Sequence, residues 1–191
     1  MNGAAPESRT RRRTRRAILA TAASVLARNR TATLAEIADA AEVGRSTLHR
    51  YVSDRDELIR ATVEDSIEVV GQAILDARAH EGPPLEAMRR VVMAHVEVGD
   101  RLMFLFRDPH VMREYGVVEP EHPVEHDPVI ELIERGQAEG VFAPHLSPQW
   151  VQRVLWALVT AGIEQVESGR MSPHGVASLV IDTLEHGILA R

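Results

Sequence analysis

The sequence predicts an all-α protein, with an N-terminal three-helix domain followed by a larger C-terminal helical domain. Apolar residues recur every three or four positions in most segments, the spacing that places them on one face of a helix. No segment alternates apolar and polar residues for long enough to predict a strand, and no internal repeat is visible. The chain has 191 residues, a length that suits one ordinary domain or two small ones.

Composition excludes several classes of protein. The chain is 45% hydrophobic and 26% charged, as globular proteins are, so it is neither disordered throughout nor fibrous. No apolar run approaches the roughly 18 residues of a membrane span, and the basic N-terminus lacks the apolar core of a signal peptide. The absence of cysteine excludes disulfide scaffolds and cysteine nucleophiles. We therefore expect a cytoplasmic protein that does not contact a membrane.

The net charge of −6 is unevenly distributed along the chain. Residues 1–60 contain twelve arginines and seven acidic residues, whereas the remaining residues contain ten arginines and twenty-one acidic residues. The first third is therefore cationic although the whole protein is acidic. A cationic segment of this kind predicts contact with a polyanion.

The N-terminal elements follow from apolar spacing and helix start signals. Residues 1–10 are small and polar and predict a disordered arm. A first helix is expected over Arg11–Arg28. Thr33 begins the second, because Thr33 and Glu36 match a capping box. A short third helix should span Arg45–Tyr51. These three helices define a predicted domain over residues 11–53.

The remaining helices make up a second predicted domain over residues 54–191. Asp54 can cap a fourth helix that continues to about Ala79. A fifth should run from Pro84 toward Arg107, and four prolines make residues 108–128 mostly loop, with one helical turn at most. The last three helices are expected over residues 129–139, 148–167 and 173–189.

The second and third helices, joined by a tight turn, have the pattern of a helix-turn-helix. Ala38 allows the two helices to approach, and Val43 and Leu48 point inward to hold them together. Five polar side chains then face outward from the third helix: Arg45, Ser46, Thr47, His49 and Arg50. Such donors read base edges and phosphates in the major groove, where arginine can bind guanine through two hydrogen bonds. This pattern predicts binding to double-stranded DNA.

The segment TLAEIADAAEVGRSTLHRYVSDRDEL, Thr33 to Leu58, resembles the DNA-binding domain of the tetracycline-repressor (TetR) family of bacterial regulators. The resemblance implies that Thr33 caps the second helix and touches a phosphate, and that Tyr51 and Arg55 lie against the DNA backbone. This sequence departs from the family pattern at Glu42, Gly44, His49 and Val52. If the turn requires a positive φ at Glu42, this residue costs about 1 kcal/mol.

The last two predicted helices are too apolar to be surface elements of a small monomer. A four-helix bundle formed by two copies would bury their apolar seams, and the TetR family dimerises in this way. We expect the dimer interface to include Val151, Leu155, Leu158, Ile163, Leu179, Thr183, Leu184 and Ile188. Two-fold symmetry then predicts a palindromic operator.

Methionines and aromatic residues concentrate between the DNA-binding domain and these last helices. In the resembled family this region encloses a pocket for a small effector, which implies a pocket lined by Met93, His95, Phe104, Phe106, Met112 and Trp156. The absence of clustered charge there favours a mainly apolar effector. His95 on an apolar helix face is also typical of an ordinary core histidine.

The sequence gives less support to other functions. His122 and His126 lie among acidic residues, but an acidic surface loop is the better interpretation, so no metal or other cofactor is predicted. No phosphate-binding loop, nucleophile elbow or HExxH motif indicates an enzyme. A DNA-binding dimer without an effector remains the alternative. The leading hypothesis is a dimeric transcriptional repressor that leaves its operator when a small molecule binds.

Overall fold

The computed structural model describes residues 9–115 and 127–189 and confirms the all-α fold. Within these ranges there are ten helices: α1 Arg9–Arg28, α2 Leu34–Ala40, α3 Arg45–Leu48, α4 Arg55–Asp76, α5 Pro84–Glu97, α6 Gly99–Phe106, α7 Pro109–Glu114, α8 Pro128–Ala138, α9 Pro148–Glu167 and α10 Pro173–Ile188. None of the described helices is both long and apolar enough to cross a membrane. The predicted N-terminal arm and the histidines 122 and 126 fall mainly or wholly outside the described residues.

The chain forms two compact units. The first contains α1, α2, α3, the first part of α4 up to Glu68, and α6 and α7 from Asp100 onward. The second contains the end of α4 together with α5, α8, α9 and α10. The structural division therefore groups α6 and α7 with the N-terminal helices. The functional boundary at residues 53 and 54 remains a prediction.

The caps predicted at the starts of α2 and α4 are confirmed. Thr33 and Glu36 form a capping box: Glu36 N donates to Thr33 Oγ1 at 3.2 Å, and Thr33 N donates to Glu36 Oε2 at 2.7 Å. The carboxylate of Glu36 accepts hydrogen bonds from Thr33 N and, at 2.8 Å, from Thr33 Oγ1, and these two bonds hold the pKa of Glu36 below its usual value. Glu57 N likewise donates to Asp54 Oδ1 at 2.9 Å at the start of α4. The first helix begins at Arg9, two residues before the predicted start.

A buried charge in the first unit was missed by the sequence analysis. Arg101 of α6 is 9% exposed and its Nη2 lies 2.8 Å from Asp65 Oδ2, although this pair is not aligned as a hydrogen bond. Nη1 of Arg101 donates to Ser66 Oγ at 3.1 Å and to the carbonyl of Leu19 at 3.3 Å. One guanidinium therefore connects α6 with both α4 and α1. Two features of the sequence could have indicated this buried charge. Arg101 lies beside an apolar run, and Asp65 and Ser66 lie inside an apolar helix.

Two segments differ from the predicted elements. The helix expected to run from Pro84 toward Arg107 is two helices: α5 ends at Glu97 with Val98 as its C-cap, and α6 begins at Gly99, a weak helix former. The proline-rich segment contains the short helix α7, where Asp108 Oδ1 accepts a hydrogen bond from His110 N at 2.7 Å and Pro109 occupies the first turn. Proline interrupts a helix when it lies in the interior but is well tolerated in the first turn.

The second unit is a core of four packed helices. α10 contacts α9 and α5, and α8 also contacts α5 and α9. The largest fully buried side chains of this unit include Met88, Leu132, Ile133, Phe142, Leu155 and Leu184. α9 and α10 approach closely at Gly162, where an added Cβ would lie 2.3 Å from Val176 Cγ1.

The surroundings of two glycines predict opposite effects on stability when each is replaced by alanine. Gly162→Ala should destabilise the protein by about 1 kcal/mol, because overpacking costs about 1–3 kcal/mol and exceeds the gain in helix propensity. Gly71 lies in α4 with no atom within 4 Å of an added Cβ, so Gly71→Ala should stabilise by about 0.5–1 kcal/mol. Urea unfolding measures both variants. Equal shifts in the two would contradict the packing described here.

Candidate DNA interface and effector region

The predicted recognition helix is short and anchored by one side chain. α3 spans Arg45–Leu48, and backbone hydrogen bonds continue the turn through Val52, whose N–H donates to the carbonyl of Leu48 at 3.1 Å. Leu48 is 1% exposed, and α3 packs against α2, whose residues Ile37 and Ala38 are fully buried. The buried side of α3 therefore fixes which of its residues face outward.

The polar residues predicted to contact DNA lie mostly on the surface. Arg45, Ser46, His49 and Arg50 are exposed, whereas Thr47 is half-buried. An open groove of about 430 Å³ brings together side chains from α2, α3 and α4. Its lining includes four of the predicted DNA-contacting residues: Thr33, Arg45, His49 and Arg55. This surface offers guanidinium, imidazole and hydroxyl groups on one face, a set suited to phosphates and base edges.

Arg55 and Tyr51 also make contacts within the protein. The Arg55 guanidinium donates to the carbonyl of Ala32 at 3.4 Å and to that of Arg30, so it holds the connection between α1 and α2. The guanidinium of Arg11 lies over the ring of Tyr51, 5.7 Å from its centroid. These contacts fix both side chains beside the groove. Their contact with DNA remains a prediction.

The departures from the family pattern have visible structural consequences. Glu42 has a φ of 54°, the left-handed conformation that glycine favours, so the condition on which the expected cost of about 1 kcal/mol depends is met. Gly44 precedes α3 and makes no side-chain capping bond. Val52 is 3% exposed and belongs to the core of this unit.

The residues predicted to line an effector pocket fall in both units. In the second unit, His95 and Trp156 meet edge to face with ring centroids 5.1 Å apart. Met93 of the second unit and Phe106 of the first are 55% and 53% exposed. Each therefore presents at least half of its side chain to solvent rather than to an enclosed pocket. Met93 lies off the α5 stripe formed by the buried residues Val92 and His95. In the first unit, Phe104 lines a cavity of about 130 Å³, and Met112 is half-buried.

The surroundings of His95 are those of a neutral histidine buried in the core. It is 2% exposed, its Nδ1 lies 2.6 Å from the carbonyl of Val91, and its Nε2 has no hydrogen-bond partner. Nδ1 therefore carries the proton in the neutral ring. Burial lowers the pKa of His95, against smaller opposing effects of the Val91 carbonyl and the charge of Asp127.

Burial of neutral His95 predicts a pH dependence of stability. Its contribution is present above the pKa of the unfolded state, about 6.5, and is lost as the pH falls below it toward the lowered pKa of the folded state. His95→Phe should therefore reduce the loss of stability between about pH 6.5 and pH 5. The free energy of unfolding from urea titrations at several pH values tests this.

A matched control for His95 is provided by His186. It is exposed, and the carbonyl and carboxylate of Asp182 raise its pKa, so its effect has the opposite sign and is lost as pH rises. His186→Gln should leave the acid loss of stability in place. An unchanged acid dependence in His95→Phe would show that His95 is not the buried titrating group.

The predicted dimer seam is largely the core of the single chain. Five of its residues are at most 5% exposed within the single chain: Val151, Leu155, Ile163, Leu184 and Ile188. Leu179 is 49% exposed, Thr183 is exposed and Leu158 is half-buried. Helical periodicity identified the apolar helices, but it did not distinguish the face packed within the chain from the face left at the surface.

Comparison of the sequence with known proteins identifies the family to which this chain belongs. The chain is 36% identical over 183 residues to the HTH-type transcriptional repressor LfrR of Mycolicibacterium smegmatis, a match that covers 96% of this chain and 94% of that protein. The chain belongs to the TetR family of transcriptional regulators. Members of the TetR family are regulators rather than enzymes, as the sequence predicted. No protein-family model matches the chain.

Solved structures agree with the TetR assignment. The crystal structure of the TetR-like regulator LfrR superposes with a TM-score of 0.76 at 34% identity and covers 96% of this chain and all of that one. LfrR in complex with proflavine gives a TM-score of 0.67 at 35% identity, with 95% and 99% of the chains covered. A second match by sequence is the regulator NfxB of Pseudomonas aeruginosa, which is 28% identical to this chain. The match covers 90% of this chain and 92% of NfxB.

Proposed function

We propose that this TetR-family protein is a cytoplasmic homodimeric repressor that binds a palindromic operator and is released by a small, mainly apolar effector. The observation that carries the proposal is the exposed polar face of α3, held outward by buried Leu48. Thr33 and Arg55 flank the same groove and supply phosphate contacts. Similarity to the repressor LfrR over nearly the whole chain supports repression as the outcome.

The dimer interface is proposed on the outer face of α9 and α10. Exposed or half-buried small and apolar residues follow one another on this face at helical spacing: Val154, Ala157, Leu158 and Ala161 on α9, and Leu179, Thr183 and Gly187 on α10. Gly187 has no atom within 4 Å of an added Cβ, so the chain leaves space beside it. Burial of such a face against a second copy would complete a four-helix bundle.

Two-fold symmetry links the dimer to DNA recognition. Two copies of α3 would enter successive major grooves about 34–36 Å apart on one side of the duplex. An effector lowers operator affinity only if it binds better to a conformation in which the two helices do not match this spacing. LfrR has been crystallised with proflavine, which supports an aromatic effector.

The dimer and the release step can be tested together. Sedimentation should show a dimer for the wild type and a monomer for Leu179→Arg, because a buried unpaired arginine would disrupt the proposed bundle. Gel shift on the DNA upstream of the protein's own gene should show operator binding by the wild type only. Proflavine, as the probe, should release that DNA.

A control isolates the interface from general effects of the substitution. Leu75 of α4 is 65% exposed and lies away from α9 and α10 in the sequence, so Leu75→Arg should remain dimeric and bind DNA. A monomeric wild type, or a Leu179→Arg variant that remains dimeric, contradicts the proposed interface. Proflavine binding without release of DNA contradicts the effector part of the proposal.

A further inference from the structure

The first unit contains a partly open cavity of about 130 Å³, here called the α7 cavity, between α7 and the helices α1, α4 and α6. Its apolar walls are formed by side chains that are at most 7% exposed: Leu26, Ala27, Ile59, Met103, Phe104 and Val111. An engineered apolar cavity of about 150 Å³ in another protein binds benzene. The α7 cavity therefore has room for one aromatic ring or a chain of a few carbons.

The polar groups of the α7 cavity carry an excess of positive charge. Among the residues that the structure describes, three arginines and two acidic residues line it: Arg30, Arg55, Arg107, Asp108 and Glu114. The Arg30 guanidinium pairs with the carboxylate of Asp108, and Glu114 is exposed, so water screens its charge. Guanidinium groups bind carboxylates through two parallel hydrogen bonds. Apolar walls beside excess arginine therefore suit a small carboxylic acid with an apolar body.

The walls of the α7 cavity are held in place by contacts at both ends of α7. Just before this helix, Arg107 Nη1 donates to the carbonyl of Ala27 at 3.4 Å. Just after it, the hydroxyl of Tyr115 donates to Asp56 Oδ1 at 3.3 Å, which joins α7 to the first turn of α4. A cavity whose walls are already fixed costs little ordering when a ligand binds.

Arg55 connects the α7 cavity with the candidate DNA surface. Its side chain lines both this cavity and the groove that Thr33, Arg45 and His49 share. Its printed acceptors within the protein are the carbonyls of Ala32 and Arg30, which are neutral and do not cancel its charge. A carboxylate in the cavity and a phosphate in the groove would therefore compete for one guanidinium.

We propose that the α7 cavity is a second ligand site, which binds a small carboxylic acid with an aromatic or short aliphatic body and thereby weakens DNA binding through Arg55. Phe104 was predicted to line the effector pocket and lies here, whereas His95 and Trp156 lie in the second unit. The effect on DNA rests on the proposed function, but ligand binding does not. By reciprocity, DNA lowers the affinity for the acid by the same factor.

Benzoate is the probe for this site, and benzamide, which has a similar shape without the charge, is its control. Titration of the full chain without DNA, followed by NMR of methyl groups, should give a dissociation constant on the order of 1 mM for benzoate. Benzamide should bind about 10-fold more weakly or less. Nuclear Overhauser effects should join the benzoate ring to methyl groups of Ile59, Met103 and Val111. Equal affinities, or effects only at other methyl groups, would overturn the proposal.

Substitutions test the same site from opposite sides. Val111→Phe on α7 and Ala27→Leu on α1 fill the cavity, and each variant that circular dichroism shows to be folded should bind benzoate about 10-fold more weakly. Arg107→Gln should weaken binding of benzoate but not of benzamide. Arg113→Gln is the matched control, because Arg113 is exposed on α7 and does not line the cavity. Wild-type affinity in a folded cavity-filling variant, or equal losses in the two arginine variants, contradicts the assignment.

Fluorescence anisotropy tests the effect on DNA, with DNA upstream of the protein's own gene and a duplex of unrelated sequence. Saturating benzoate should raise the dissociation constant of the DNA complex about 5- to 10-fold over sodium chloride of equal ionic strength. Val111→Phe should not respond to benzoate. An unresponsive wild type, or a responsive Val111→Phe variant, overturns the coupling. If the wild type does not prefer its upstream DNA, the proposed function fails, while the titration without DNA still decides the ligand site.

Discussion

Replacing Arg45 and Arg50 with alanine is expected to abolish specific operator binding. Both side chains are exposed on or just after α3, where an arginine that reads a base contributes about 1–3 kcal/mol. Each single variant should lose roughly 5- to 150-fold in affinity, and the double variant more. Anisotropy titrations with operator DNA measure this loss. Binding to unrelated DNA should weaken much less, because phosphate contacts elsewhere remain.

Stability should not change in these variants, since neither side chain contributes to the core. Equal urea midpoints for the wild type and both variants would confirm that only recognition is affected. Arg170→Ala, an exposed arginine outside the candidate DNA surface, serves as the matched control and should bind operator normally. Unchanged operator affinity in both Arg45→Ala and Arg50→Ala would mean that α3 is not the recognition helix.

Replacing Arg101 with methionine is expected to destabilise the protein by about 3–5 kcal/mol, because it leaves the carboxylate of Asp65 buried without a counter-charge. Asp65 is 8% exposed. The carbonyl of Leu19 and the hydroxyl of Ser66 also lose a donor. For a chain of this length the melting temperature should fall by on the order of 10 °C. Thermal and urea unfolding measure the change.

The double variant Arg101→Met, Asp65→Leu distinguishes charge burial from loss of packing. Removing both charges can restore most of the stability, since a buried ion pair often contributes little more than apolar residues of similar size. The double variant should therefore be more stable than Arg101→Met alone. A double variant as unstable as the sum of the single changes would show that Arg101 acts mainly through packing.

The sequence predicted the parts of the fold that depend on neighbouring residues. The capping box of Thr33 and Glu36 lies within four residues, and the structure confirms it. The positive φ at Glu42 was anticipated differently, because the sequence departs at this turn position from the pattern of the TetR family. The predicted bounds of α9 match those of the structure, and α10 ends at Ile188, one residue before its predicted end.

Contacts between distant segments were not predictable from one sequence. Arg101 donates a hydrogen bond to the carbonyl of Leu19, a residue 82 positions away, and the apolar run beside Arg101 can indicate a buried charge but does not identify its partners. Exposure of Met93 depends on which side of α5 faces its neighbours. The orientation of a helix about its own axis is determined by packing when apolar residues occupy more than one face.

The order of residues by itself determined that this chain is helical, that a cationic helix-turn-helix begins it, and that α3 carries donors suited to DNA. Those properties arise from helical periodicity, capping and charge, which act between residues close in the chain. Only the tertiary structure decided which apolar residues of α9 and α10 fill the core and which remain at the surface, and that Arg101 is buried against Asp65. Burial is decided by contacts between segments far apart in sequence, and chains with the same local pattern can make different contacts of this kind.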